Sequence, residues 1–183
     1  MTHTRTPIST AAAWHLSDVK ERGRIDGDDE DAGIAMMADT AAAEIERHCE
    51  LALLAQTITV TVDEWCNRIP LPVGPFWAAG ASEHPVEVEA VAEDGSTSNV
   101  TGFYVLPGRY PILKLTETVA AHGLRITYPA GYGEEVGSIP ADLQLAISDH
   151  AARLYDMRGA DDAPQGLSIA AARIAARHRR VAI

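Results

Sequence analysis

Four stretches of this chain hold side chains able to do chemistry, and each fails on geometry. Ser148-Asp149-His150 has the residue types of a hydrolase triad. Consecutive residues on a helix point in different directions, so the three cannot converge on one substrate. His150 reads instead as a packed, hydrogen-bonded histidine on an apolar stripe. His48-Cys49 pairs two metal ligands, but neighbours on a helix do not easily share an ion, and both read as packed residues. Asp26-Gly27-Asp28-Asp29-Glu30-Asp31 looks like a calcium loop only until it is counted. With Asp26 first, the sixth position, which needs glycine, is Asp31, and the twelfth, which needs glutamate, is Met37. Gly131-Tyr132-Gly133 is a turn too short to cradle phosphate. The sequence has no nucleotide loop, no G-x-S-x-G and no zinc-spaced His/Glu cluster. No catalytic residue, cofactor or metal site is expected, and the chain is not expected to be an enzyme.

Charge is more informative. The 183 residues carry a net charge of −11, unevenly spread. Four of the 15 basic residues (Arg173, Arg177, Arg179 and Arg180) lie in residues 167–183, which contain no acid. The other eleven basic residues face all 26 acids, a balance of −15. An acidic body repels nucleic acid. The arginine-rich end is the one clearly cationic region. Residues 1–10 lack the apolar stretch of a secretory signal, and no run of 18 apolar residues occurs. Cys49 and Cys66 are therefore expected as free thiols in a reducing compartment, with a Cys49–Cys66 disulfide as the alternative.

The elements follow from periodicity. Residues 1–13 are polar, Thr-rich and expected to be flexible. Residues 16–22 read as a short helix with Ser17 as N-cap, ended by Gly23. From about Asp28 to Cys49, Ile34, Met37, Ala38, Ala41, Ile45, His48 and Cys49 form one helical stripe, its start complemented by the acidic run. Gln56 to Trp65 alternates Thr with Ile or Val, the pattern of a half-buried strand. Residues 69–77 contain three prolines and a glycine and cannot be regular. Phe76 and Trp77 in that loop either fold back on the core or meet another subunit. Strands follow at 86–91, 103–106, 112–115 and 124–128. A helix opening at Pro140 buries Leu143, Ala146, Ile147, His150, Ala151, Leu154 and Tyr155. Residues 160–166 read as a linker, and Ser168 to Arg179 as a weak alanine-rich helix. The class is α+β: N-terminal helices, a compact antiparallel unit of about five strands, a C-terminal helix and an extended basic tail.

Several stretches, taken in order, resemble the head–tail connector (adaptor) proteins of long-tailed bacteriophages and phage-derived gene transfer agents. They are Leu16-Ser17-Asp18-Val19-Lys20, the acidic run Asp26–Asp31 before a long helix, Gln56-Thr57-Ile58-Thr59-Val60-Thr61 and Glu93-Asp94-Gly95. Then come Arg125-Ile126-Thr127-Tyr128-Pro129-Ala130-Gly131-Tyr132-Gly133 and Ile139-Pro140-Ala141-Asp142-Leu143, with a helix ending at Tyr155 and Arg158. Together they cover most of residues 14–160. The loop from Leu71 to His84 departs from the resemblance, being longer than the family's short proline turn.

The resemblance implies a non-enzymatic structural protein of a virion neck, assembled in the bacterial cytoplasm. It implies a ring of identical subunits, commonly twelvefold, below the portal protein, with the next neck or tail-completion (stopper) protein on its other side. DNA passes through without specific binding during packaging and ejection, and no membrane is involved. On this reading residues 1–13 are a flexible arm, 14–159 the connector domain and 160–183 a linker and portal-docking arm. Ile169, Arg173, Ile174, Arg177, Arg179, Arg180, Val181 and Ile183 would dock to the portal, and Phe76 and Trp77 would meet a neighbouring subunit. Asp26, Asp28, Asp29, Glu30, Asp31, Glu87 and Glu89 are candidates for channel or rim charge. The competing readings are a small α+β enzyme or ligand-binding domain, and a free nucleic-acid-binding accessory protein.

Overall fold

The computed structural model describes residues 2–158 and 166–179. The chain divides into two compact units. One comprises Met1–Thr10 and Leu54–Glu134, the other Ala11–Leu53 and Glu135–Ile183; among the described residues the first holds every strand and the second every α-helix.

The strand unit grows from the Thr/Ile/Val alternation. Strand β1 is Thr2–Pro7, β2 Gln56–Val62, β3 Arg68–Pro70, β4 Glu87–Val91, β5 Thr97–Asn99, β6 Phe103–Leu106, β7 Ile112–Leu115 and β8 Gly123–Ala130. They form an antiparallel five-stranded sheet, β1-β2-β8-β4-β5, and an antiparallel three-stranded sheet, β3-β7-β6. Val60, Ile126 and Val88 lie side by side across three strands, as do Val62, Leu124 and Ala90, and all six are buried. On the other face Thr59 and Thr127 pair with their hydroxyls 3.3 Å apart. Apolar rows on one face and threonines on the other fix the register, because a one-residue slip would invert both.

The five expected strands are all present. β1, β3 and β5 are additions: β1 is almost wholly exposed, and β3 and β5 are three residues each. Residues 2–7, expected as part of a flexible arm, pair along their whole length with β2. Threonine-rich sequence suits an edge strand even without an apolar face.

Three positions in this unit set how the chain turns. Gly131, at φ 130°, has no room for a Cβ, which would lie 2.4 Å from the Leu54 carbonyl oxygen. The Tyr128 hydroxyl accepts from the Val73 N–H at 3.0 Å and donates to the Val73 carbonyl at 2.9 Å, pinning the proline-rich loop. Trp77 is 9 % exposed; its backbone N–H donates to Pro129 O at 3.1 Å and its ring stacks on His84. A Cβ on Gly80 would come within 2.1 Å of the indole, so glycine is required beneath it.

The helical unit consists of α1 Leu16–Gly23, α2 Asp31–Cys49, a 3₁₀ turn at Val136–Ser138, α3 Ala141–Asp156 and α4 Ile169–His178. α2 buries Ile34, Ala38, Ala41, Ala42, Ile45 and Cys49, and α3 buries Leu143, Ala146, Ile147, His150 and Ala151. Alanine on these stripes lets helix axes approach closely. Local details differ from expectation. α1 starts at Leu16 after His15, so Ser17 lies inside it, and Arg24 rather than Gly23 takes the left-handed cap at φ 52°. His48 is exposed rather than packed. Neither cysteine forms a disulfide; Cys49 is buried and Cys66 exposed. Among the described residues no helix is long and apolar enough to cross a membrane.

Candidate functional site

Two of the three residues with triad chemistry, Asp149 and His150, form a fastening. Ser148 Oγ donates to its own helix at Gln144 O, 3.1 Å. His150 is buried, with Nε2 2.8 Å from Glu44 Oε2 on α2. Its Nδ1 accepts the backbone N–H of Ser168 at 3.2 Å, so the proton sits on Nε2 and is donated to Glu44. Ser168 Oγ donates to Asp149 Oδ2 at 2.7 Å and accepts from Ala171 N at 3.1 Å, capping α4. Arg22 on α1 pairs with the other oxygen of Asp149. Burial opposes ionisation of Asp149, but the Ser168 hydroxyl and Arg22 guanidinium outweigh it and hold its pKa below the usual carboxylate value.

The far end of α4 is tied as well. His178 Nε2 lies 2.7 Å from Asp142 Oδ2, and Cys49 Sγ donates to Ala175 O at 3.5 Å. Burial works against the Asp142 charge too, but hydrogen bonding to His178 prevails and its pKa is lowered. Ser168 hydroxyl, His150 imidazole and Asp149 carboxylate are thus committed to holding α4 on α3. His150 on the apolar stripe of α3, and Ser168 immediately ahead of an Ile/Ala run, were the sequence signals for this arrangement.

The expected docking residues divide by face. Ala171 and Ala175 of α4 are buried, whereas Ile169, Arg173 and Arg177 recur every fourth residue along an exposed stripe. Ile169 is 78 % exposed, Ile174 half-buried and Arg179 exposed. Residues 169–178, read from the sequence as a weak alanine-rich helix within the C-terminal tail, are helical and pack against α3 and α2 rather than extending from the subunit. Arg180, Val181 and Ile183 lie outside the described residues.

The candidate channel acids also divide. Lys20 bridges Asp28 at 2.7 Å and Asp31 at 2.8 Å, and Glu30 meets Arg158 at 2.5 Å and the Tyr155 hydroxyl. Hydrogen bonds from Lys20 hold the Asp28 pKa down, and Arg158 followed by Tyr155 does the same for Glu30. Glu89 pairs with Arg125 at 3.2 Å. Asp26, Asp29 and Glu87 are exposed and form no ion pair among the described residues. The acidic run therefore serves chiefly to link α1, the start of α2 and the end of α3, rather than to cap α2 with a side chain.

Phe76 is half-buried and bridges Ala130, and Trp77 is buried in its own subunit, the first of the two placements the sequence left open. Folding back against Gly80 and His84 already removes the indole from water. No group of three or more metal-ligating side chains occurs among the described residues.

No family model matches the chain, and no curated protein does. Solved structures do. A chain in the neck of an empty gene transfer agent (GTA) particle, computed with C6 symmetry, superposes with a TM-score of 0.80 at 20 % identity, over 100 % of this chain and 97 % of that one. This chain has the fold of a gene transfer agent neck chain. A native GTA virion gives 0.79 and a native GTA neck computed with C12 symmetry gives 0.77, each at 19 % identity and the same coverage. The shared neck-chain fold spans both units, strand and helical, and includes α4.

Proposed function

We propose that this protein is a structural, non-catalytic head–tail connector of a phage or gene transfer particle. Identical copies form a ring, twelvefold in the simplest case, below the portal, receive the next neck or tail-completion protein on the other side, and surround the DNA path. The whole-chain match to neck chains, at TM-score 0.80 with almost nothing left over on either side, is the observation that carries this reading. Two neck structures computed with C6 and C12 symmetry support a closed ring. The net charge of −11 supports a channel that does not retain DNA.

The portal contact is assigned to the exposed stripe of α4, Ile169, Arg173 and Arg177, continued by the residues that follow. An apolar anchor flanked by guanidinium groups suits an acidic groove. Deleting the gene in a producing strain should yield DNA-filled heads without tails, restored by supplying the wild-type chain. Tailed, active particles at normal yield from the deletion strain would overturn the assignment.

A further inference from the structure

We infer that the outward face of the β3-β7-β6 sheet is the surface by which one copy of this chain grips the first half of α2 of the next. The inference rests on the ring reading above and names its interface.

Register and burial define the face. Ile69, Leu113 and Leu115 point inward and are buried. The alternate residues form two cross-strand rows: Arg68, Lys114 and Tyr104 in one, Pro70, Ile112 and Leu106 in the other. One row is cationic and aromatic and the other wholly apolar. The three strands and the turn at residues 107–111 contain no acid, although the chain's net charge is −11. Lys114 Nζ lies 6.0 Å from the Tyr104 ring centroid, and the Arg109 guanidinium 5.7 Å from that of Tyr110. Of the six large apolar side chains exposed among the described residues, three (Tyr104, Leu106 and Tyr110) belong to this one hairpin. Exposed apolar area gathered in one place marks a contact surface.

α2 carries the complement. Its buried stripe leaves an opposite one on which Ala32, Gly33, Met36 and Thr40 are exposed, Met36 at 72 %. Asp29 and Asp39 flank it, both exposed. Glycine within a helix lowers its stability, and a Cβ at Gly33 would meet nothing within 4 Å, so no packing inside the chain demands glycine there. A neighbouring copy supplies the reason: without a Cβ, an aromatic ring can lie against the helix backbone. The sheet face is basic and aromatic, the helix face acidic with a flexible thioether, and sulfur–aromatic contact favours the pair. Each copy offers one of each, so the contact repeats head to tail, as a ring requires.

Cysteine pairing tests this directly. In a Cys66→Ser background, Met36→Cys and Tyr104→Cys variants are treated with a short bismaleimide, alone and mixed. The mixture should give crosslinked dimer several-fold above either variant by itself. Arg68→Glu with Lys114→Glu should weaken self-association about tenfold or more, with circular dichroism unchanged, and adding Asp29→Lys with Asp39→Lys should restore it. Wild-type protein that multimerises while the mixture shows no excess crosslink and the charge variants assemble normally would overturn this interface alone. Wild-type protein that stays monomeric at high concentration and low salt would overturn the ring reading with it.

Discussion

Ser168 donates its backbone N–H to His150 Nδ1 at 3.2 Å, and this bond fixes both the imidazole tautomer and the place of α4. The hydroxyl of the same serine caps α4 and reaches Asp149. Ser168→Ala keeps the backbone bond but removes the cap and leaves one Asp149 oxygen without its donor. A loss of about 1–2 kcal/mol is expected, measured by urea unfolding. Unchanged stability would show that the Ser168 hydroxyl adds nothing to holding α4.

Acid should loosen the helical unit. Asp149, Asp142, Asp28 and Glu30 all have lowered folded-state pKa values. Their stabilising contribution is complete above the ordinary carboxylate pKa and is lost as pH falls through the lower folded values. Thermal midpoints should therefore be level near neutrality and decline below about pH 4. Asp149→Asn should flatten that decline while lowering the midpoint at pH 7.

Trp77 should emit as a buried indole in the isolated subunit. With Trp14 and Trp65 replaced by Phe, its fluorescence is expected to be blue-shifted and protected from acrylamide. Trp77→Ala should cost about 3–5 kcal/mol of folding stability. A red, quenchable signal from the free subunit that shifts only on assembly would return Trp77 to a subunit contact.

For the portal contact, charge reversal is a cleaner probe than truncation. Deleting residues 167–183 strips Ser168 from His150 and Asp149 and uncovers Cys49, so it damages the fold as well. Arg173→Glu with Arg177→Glu touches only the exposed stripe. The double variant should fold normally and lose at least tenfold in co-sedimentation with portal; undiminished binding would remove α4 from the portal contact.

Channel charge is best tested at Asp26 and Glu87, which are exposed, form no ion pair among the described residues and lie outside the proposed subunit contact. Lysine at both should slow DNA ejection in low salt and recover in high salt, with assembly intact. Equal ejection rates at both ionic strengths would dismiss the electrostatic role. Reversal at Asp28, Glu30, Asp31 or Glu89 is expected to disturb folding, since those carboxylates already hold Lys20, Arg158 or Arg125.

Periodicity alone determined β2, β8, α2 and α3, because a strand or helix with one wet face writes that face into its own residues. Ile58, Val60 and Val62, and likewise Ile34, Ala38, Ala41 and Ile45, could be buried in no other way. The α+β class and the order of elements followed. Tertiary structure decided what depends on residues far apart. His150 and Glu44 are 106 positions apart and Arg22 and Asp149 127, so no local pattern could pair them. The same holds for β1, whose threonines become a strand only once β2 offers hydrogen bonds. It holds for Trp77, where composition left core and subunit contact open until Gly80 and His84 closed around the ring. A local pattern records which side of an element is dry; which neighbour keeps it dry is set by the path of the whole chain.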